Sequence, residues 1–104
     1  MIVVVSGADG EEPALTLEDA DECGRFHLDA RGVDRDGVAL ALARAGAGRL
    51  AGDDAYIEPA VLRRMAEGDV GPDWDDRFAG MLDYAARKGW LDKNGAVQAH
   101  IEWA

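Results

Sequence analysis

The chain opens with a short run of apolar residues and closes with an alternating one. Residues 2–5 read Ile-Val-Val-Val, and a stretch rich in glycine and aspartate follows at 6–10. A β-branched run of this length, ended by turn residues, predicts a buried strand. From 96 to 103, apolar and polar residues alternate after an Asn-Gly turn. This alternation predicts a strand with one buried face.

Three segments have the apolar spacing of amphipathic helices. The first is predicted over 34–45, where aspartate supplies the N-cap and Gly46 ends the helix. The second begins at Glu58-Pro59, because proline suits a first helical turn, and ends before Gly68. The third is predicted over 73–88 and has the clearest pattern. Its apolar residues are Trp74, Phe78, Met81, Leu82 and Ala85.

Residues 14–24 are compatible with two different structures. Residues 14–17 fit a short strand that pairs with the first strand as a hairpin. Alternatively, Thr16 caps a helix that ends before Gly24, with acidic side chains in its first turns. Acidic side chains are favoured at that end of a helix. We therefore expect a short helix over 17–23 and keep the strand as the alternative.

The remaining segments complete a prediction of the fold class. Alternation over 25–30 predicts a strand, and residues 49–57 predict either a small hairpin or one short strand before the next helix. We expect an α+β fold in which three main helices pack on a small, mostly antiparallel sheet. The strands at the two ends of the chain and at 25–30 are expected to share that sheet. From residue 34 onwards, the order of elements resembles that of a winged helix.

Composition places the chain among single-domain globular proteins. It has 104 residues, of which 48% are apolar and 31% are charged. We treat residues 1–104 as one domain. The single cysteine, Cys23, cannot form an internal disulfide, which favours a reducing compartment. No run of residues is long and apolar enough to span a membrane. These features predict a cytoplasmic protein.

The negative charge is concentrated near the start of the sequence. The net charge is −10, and the first 24 residues contain seven acids and no Lys or Arg. All seven acids lie in an acidic segment at 9–22. Such a segment can simply keep a domain soluble, or it can form a docking surface for a basic partner. Both interpretations remain open from the sequence.

The same charges argue against binding to nucleic acid. In a winged helix, the third helix enters the major groove of DNA. Here the first turn of that helix has Asp73, Asp75 and Asp76, which phosphates would repel. A winged-helix regulator is therefore only an alternative hypothesis for the function.

The only imidazoles are those of His27 and His100. Both are on predicted strands, out of phase with the apolar neighbours, so they can share a polar face with Asp29 or Glu102. A histidine beside a carboxylate can act as a general base. His27, His100 and Glu102 are thus the candidate catalytic residues of a small enzyme or ligand-binding protein. The chain has no His-x-His motif and no histidine pair at helical spacing, so we predict neither a metal site nor a cofactor.

Trp90 and Trp103 flank the predicted closing strand and are the candidate partner-binding residues. Aromatic side chains are enriched at the centres of protein interfaces. No recognised catalytic motif is present in the sequence. We therefore expect a small, non-enzymatic interaction or accessory domain that binds a protein partner. A homodimer formed through the closing strand is one such possibility.

Overall fold

The computed structural model describes residues 1–7 and 12–103 of the chain. Asp9 and Glu11 of the acidic segment, and part of the predicted turn at 6–10, lie outside the described residues. Within the described ranges, the chain forms six strands and three helices. The strands are β1 (Ile2–Ser6), β2 (Ala14–Glu18), β3 (His27–Arg31), β4 (Gly48–Ala51), β5 (Asp54–Ile57) and β6 (Val97–Trp103). The helices are α1 (Arg35–Ala45), α2 (Pro59–Ala66) and α3 (Trp74–Lys88).

All six strands belong to one mixed sheet with the order β2-β1-β3-β6-β5-β4. β3 is central and is parallel to both β1 and β6, whereas the other neighbouring pairs are antiparallel. The structure is α+β, but the prediction of a small, mostly antiparallel sheet is wrong. The expectation that the strands at both ends and near 25–30 share one sheet is confirmed.

The winged-helix element order is also wrong as a description of this fold. A wing is a terminal hairpin, whereas β6 lies inside the sheet between β3 and β5. The predicted strand at Trp90-Leu91 is reduced to one bridge between Leu91 and Val97. The closing strand therefore pairs mainly with β3 and β5, and only its first residues contact the segment just before its turn.

Residues 14–18 form a strand, so the expected helix over 17–23 is wrong. Leu15 and Leu17 pack against the core, and the residues between them are exposed. All five residues of β2 pair with β1. A helix of about seven residues has too few hydrogen bonds to be stable without strong packing. Pairing with β1 gives the same residues a full ladder of hydrogen bonds.

The three main helices lie where their sequence signals predict. The Asp34 side chain accepts a hydrogen bond from the Gly37 nitrogen and caps α1. Gly46 and Gly89 adopt the left-handed conformation that ends α1 and α3. Proline occupies the first turn of α2. Within residues 1–7 and 12–103, no helix is long and apolar enough to cross a membrane.

The helices cover only one face of the sheet. Leu28, Ile101 and Ile57 are buried on that face together with Leu42 and Phe78 of the helices. Strand residues of the opposite phase are partly or fully exposed and mostly polar, with the exception of Val4, which is buried. We call this second surface the open face. It is formed by Glu18, Ile2, Val4, His27, Asp29, Arg31, Gln98, His100, Glu102, Asp54, Tyr56 and Arg49.

Candidate functional site

Parallel pairing of β3 and β6 brings the candidate residues together on the open face. In this register His27 is opposite His100, and Asp29 is opposite Glu102. Directly opposed residues in neighbouring strands point to the same face of a sheet. Two short segments separated by most of the chain thus form a continuous polar patch.

His27, Asp29 and Glu102 form the tightest cluster in this patch. The His27 Nε2 atom is 3.0 Å from an Asp29 carboxylate oxygen and 3.7 Å from a Glu102 carboxylate oxygen. One potential metal-ligand atom from each residue lies within 4.8 Å of the other two. The side chains of His27 and Asp29 are half-buried, whereas that of Glu102 is exposed. We call these three residues the histidine–carboxylate cluster.

Arg31 fixes the orientation of Asp29. Its guanidinium is 3.2 Å from the Asp29 oxygen that faces away from His27, and it forms two hydrogen bonds with Glu18. These hydrogen bonds raise the pKa of Arg31. Because β1 lies between β2 and β3, the Arg31–Glu18 pair crosses β1 on the face where Val4 is only 2% exposed. Arg31 therefore binds one Asp29 oxygen, and the other Asp29 oxygen faces His27.

His100 is on the same face but has different surroundings from His27. Its Nδ1 atom lies 3.9 Å from Asp54, and its side chain is 70% exposed. It lines a small cavity with Phe26 and Trp90, whereas His27 lines a separate cleft. The structure therefore brings His27 and Glu102 together but does not place His27 and His100 around one cavity. A catalytic role for these residues stays a prediction.

The cleft beside His27 has a volume of about 700 Å³ and a predominantly acidic lining. It lies between β1 and the loop that connects β2 to β3. We define the acidic loop as residues 19–25, and the acidic cleft as the cleft that this loop borders. The lining consists of Met1, Ile2, Leu17, Asp19, Ala20, Asp21, Glu22, Arg25, His27 and Asp69.

Hydrogen bonds from other elements hold the backbone of the acidic loop. The Trp74 indole donates to the carbonyl oxygen of Ala20, and Arg77 donates to that of Asp21. The Met1 nitrogen donates to the carbonyl oxygens of Glu22 and Arg25. Four carbonyls of one exposed loop are therefore fixed by donors from outside it.

Burial changes the pKa of two groups near this loop. It lowers the pKa of the Met1 α-amino group, although the Glu22 and Asp19 carboxylates act in the opposite direction. It raises the pKa of the Cys23 thiol, and the positive charge of Arg77 offsets this only partly. This shift favours the protonated form of the thiol.

The two candidate tryptophans are both exposed but lie at opposite ends of β6. Trp90 makes an edge contact with Tyr84, and its carbonyl accepts a hydrogen bond from the Gln98 nitrogen near the start of β6. Trp103 ends the strand, which at about 3.3 Å per residue places it roughly 20 Å away. They do not form a single aromatic patch. A partner-binding role for either residue stays a prediction.

Comparisons with protein-family models, curated proteins and solved structures found no match to this chain. The site is therefore described from its own chemistry. Sequence reasoning identified His27 and Glu102 and mentioned Asp29, but it missed Arg31 and Asp69. The alternation over 25–31 was a usable signal for Arg31, since it places Arg31 in phase with His27. Nothing in the sequence places Asp69 beside the acidic loop.

Proposed function

We propose that this protein is an interaction domain that binds a basic protein partner in the acidic cleft. The acidic loop is the observation that carries the proposal. Its carboxylates are exposed, and four of its backbone carbonyls accept hydrogen bonds from residues outside the loop. Such a loop offers a partner a fixed set of charges at the edge of a concave surface.

The charge of the cleft suits a cationic partner. Asp19, Asp21, Glu22 and Asp69 contribute carboxylates, while Arg25 is the one Lys or Arg side chain in the lining. Among residues 1–7 and 12–103, no basic nitrogen lies within 4 Å of the side-chain carboxylates of Asp19, Glu22 and Asp69. Carboxylates without an internal ion pair are available to pair with a partner. The net charge of −10 would also steer a basic protein towards this domain.

In addition to its charge, the loop has a tethered backbone, which favours tight binding. Binding to a mobile loop costs conformational entropy, since the loop must become ordered on the partner. Here Trp74, which is 3% exposed, and Arg77 on α3 hold the loop before any partner arrives. The Met1 nitrogen adds two further hydrogen bonds to the backbone of the loop.

A charge-matched pair of triple variants tests this proposal. The first, Asp19→Asn/Glu22→Gln/Asp69→Asn, removes unpaired carboxylates of the cleft. The control replaces three exposed aspartates elsewhere, in the β4–β5 turn and on α3, and changes the net charge by the same amount. The control is Asp53→Asn/Asp76→Asn/Asp83→Asn.

Binding of a fluorescent decalysine peptide, followed by anisotropy at low salt, is expected to separate the two variants. Exposed ion pairs contribute about 0.5 kcal/mol each, so losing three should weaken binding about tenfold. The control should bind nearly as well as the unmodified protein. Equal weakening in both variants would show that the peptide responds to net charge alone, and the proposal would then be wrong.

A further inference from the structure

We propose that the histidine–carboxylate cluster is a binding site for a divalent transition-metal cation such as Zn²⁺. His27, Asp29 and Glu102 would each supply one ligand atom. This inference does not depend on the docking function proposed above, although His27 also lines the acidic cleft. It also replaces the sequence-based expectation that the chain has no metal site.

The spacing of the ligand atoms suits a small cation. Zn²⁺ binds imidazole nitrogen and carboxylate oxygen at about 2.0–2.2 Å, which in a tetrahedral site separates neighbouring ligand atoms by about 3.3 Å. The two measured separations from His27 Nε2, 3.0 Å to Asp29 and 3.7 Å to Glu102, lie on either side of this value. The ligand oxygens of Asp29 and Glu102 lie within 4.8 Å of each other, so small side-chain rotations would bring all three ligand atoms within bonding distance of one ion.

The charge of the cluster also matches a dication. A neutral imidazole and two carboxylates carry a charge of −2. The nearby Arg31 and Glu18 form their own ion pair, so they add no net charge to the cluster. Imidazole with carboxylate oxygen favours transition metals, whereas Mg²⁺ and Ca²⁺ prefer sites made of oxygen alone.

The surrounding fold supports the geometry that binding requires. Paired strands supply the ligands, and Arg31 holds the second oxygen of Asp29, the kind of outer interaction that orients ligands in metal sites. In the part of the chain that the structure describes, no helix covers the open face, so the remaining coordination positions of the ion would face solvent. Three protein ligands with an open position are typical of sites where zinc exchanges water or binds a substrate.

Calorimetric titration of the purified protein with ZnCl₂ tests this inference. We expect saturable binding of one Zn²⁺ per chain that His27→Ala and Glu102→Gln each weaken by at least about tenfold. His100→Ala is the matched control, because this exposed histidine faces the same way from the neighbouring strand. It should leave the affinity unchanged, and Cys23→Ser should do the same.

A second measurement checks the identity of the ligands. The Co²⁺-loaded protein should show visible absorption of a four- or five-coordinate site, and this absorption should be lost in His27→Ala. Circular dichroism and melting would confirm that each variant is folded. The inference is overturned if Zn²⁺ does not bind saturably, if His100→Ala weakens binding as much as His27→Ala, or if Mg²⁺ competes equally well.

Discussion

Replacing Trp74 by phenylalanine tests whether the hydrogen bond from α3 to the acidic loop keeps that loop in place. The Trp74 side chain is 3% exposed, stacks on Phe78 at 4.7 Å, and donates its indole N–H to Ala20 in the loop. Phenylalanine retains an aromatic ring in the stack but cannot donate this hydrogen bond. The variant therefore separates the tether from the presence of an aromatic core residue.

Two losses contribute to the expected change in the free energy of unfolding. The smaller ring of Trp74→Phe buries about three fewer heavy atoms, which corresponds to about 2 kcal/mol. Loss of the hydrogen bond to Ala20 adds about 1 kcal/mol. The sum of about 3 kcal/mol is large beside the roughly 5–15 kcal/mol that stabilises a typical domain.

Phe78→Leu is the matched control for this variant. It also removes about three buried heavy atoms from the same stack, so it should cost about 2 kcal/mol, and Phe78 makes no hydrogen bond to the loop. Urea denaturation measures the global loss in both variants. Amide hydrogen exchange measures local opening of residues 19–25 under native conditions.

The two variants should differ most in the exchange of the loop. Trp74→Phe is expected to speed exchange in residues 19–25 by more than its global destabilisation explains, whereas Phe78→Leu should not. The tether hypothesis fails if loop exchange in both variants simply follows global stability. It also fails if Trp74→Phe is no less stable than Phe78→Leu.

Two further predictions concern the turn before β6 and the hairpin of β4 and β5. Backbone hydrogen bonds from Ala96 and Asn94, together with the positive charge of Arg49, lower the pKa of Asp92. The ionised carboxylate therefore stabilises the fold above the ordinary carboxyl pKa, and this stabilisation is lost as the pH falls through the lowered pKa of the folded state. The difference in urea midpoint between the unmodified protein and Asp92→Ala should therefore shrink from pH 7 to pH 3; a constant difference would contradict this. Gly48→Ala should destabilise the protein well beyond the roughly 1–2 kcal/mol cost of placing a side chain in a left-handed turn, since its added Cβ would lie 1.9 Å from the backbone oxygen of Tyr56 in β5. Equal urea midpoints for Gly48→Ala and the left-handed control Gly46→Ala, where no atom lies within 4 Å of the added Cβ, would refute the clash.

The helices were predictable because their signals are local. The Asp34 cap and the terminal glycines act within one or two turns of the helix they bound, so their effect does not depend on the rest of the fold. Residues 14–18 show the opposite case. Thr16 and the acids that follow it fit a helix start, but pairing with β1 decided the structure. Alternation of Leu15 and Leu17 was the local signal that favoured the strand.

The arrangement of the sheet could not be predicted in the same way. β6 pairs in parallel with β3, a segment about two thirds of the chain away in sequence, and nothing in either segment specifies that partner. In a winged helix, the closing strand pairs with the strand that comes just before its turn. Here the buried faces of β3 and β6 instead meet through Leu28 and Ile101, which extends one core across the centre of the sheet.

This long-range pairing also explains why candidate chemistry was only partly visible in the sequence. Periodicity placed His27 and Glu102 on polar phases of their strands, but their meeting depends on the register between β3 and β6. The start of β3 is also connected to the acidic loop through Met1. The Met1 nitrogen donates to the carbonyl oxygens of Glu22 and Arg25, and the Met1 carbonyl accepts a hydrogen bond from the backbone nitrogen of His27. Met1, the residue just before β1, therefore tethers both the acidic loop and the start of β3. Any change that loosens this end of β1 should disturb the acidic cleft and the histidine–carboxylate cluster together, whereas substitution of a single carboxylate should affect only the site that contains it.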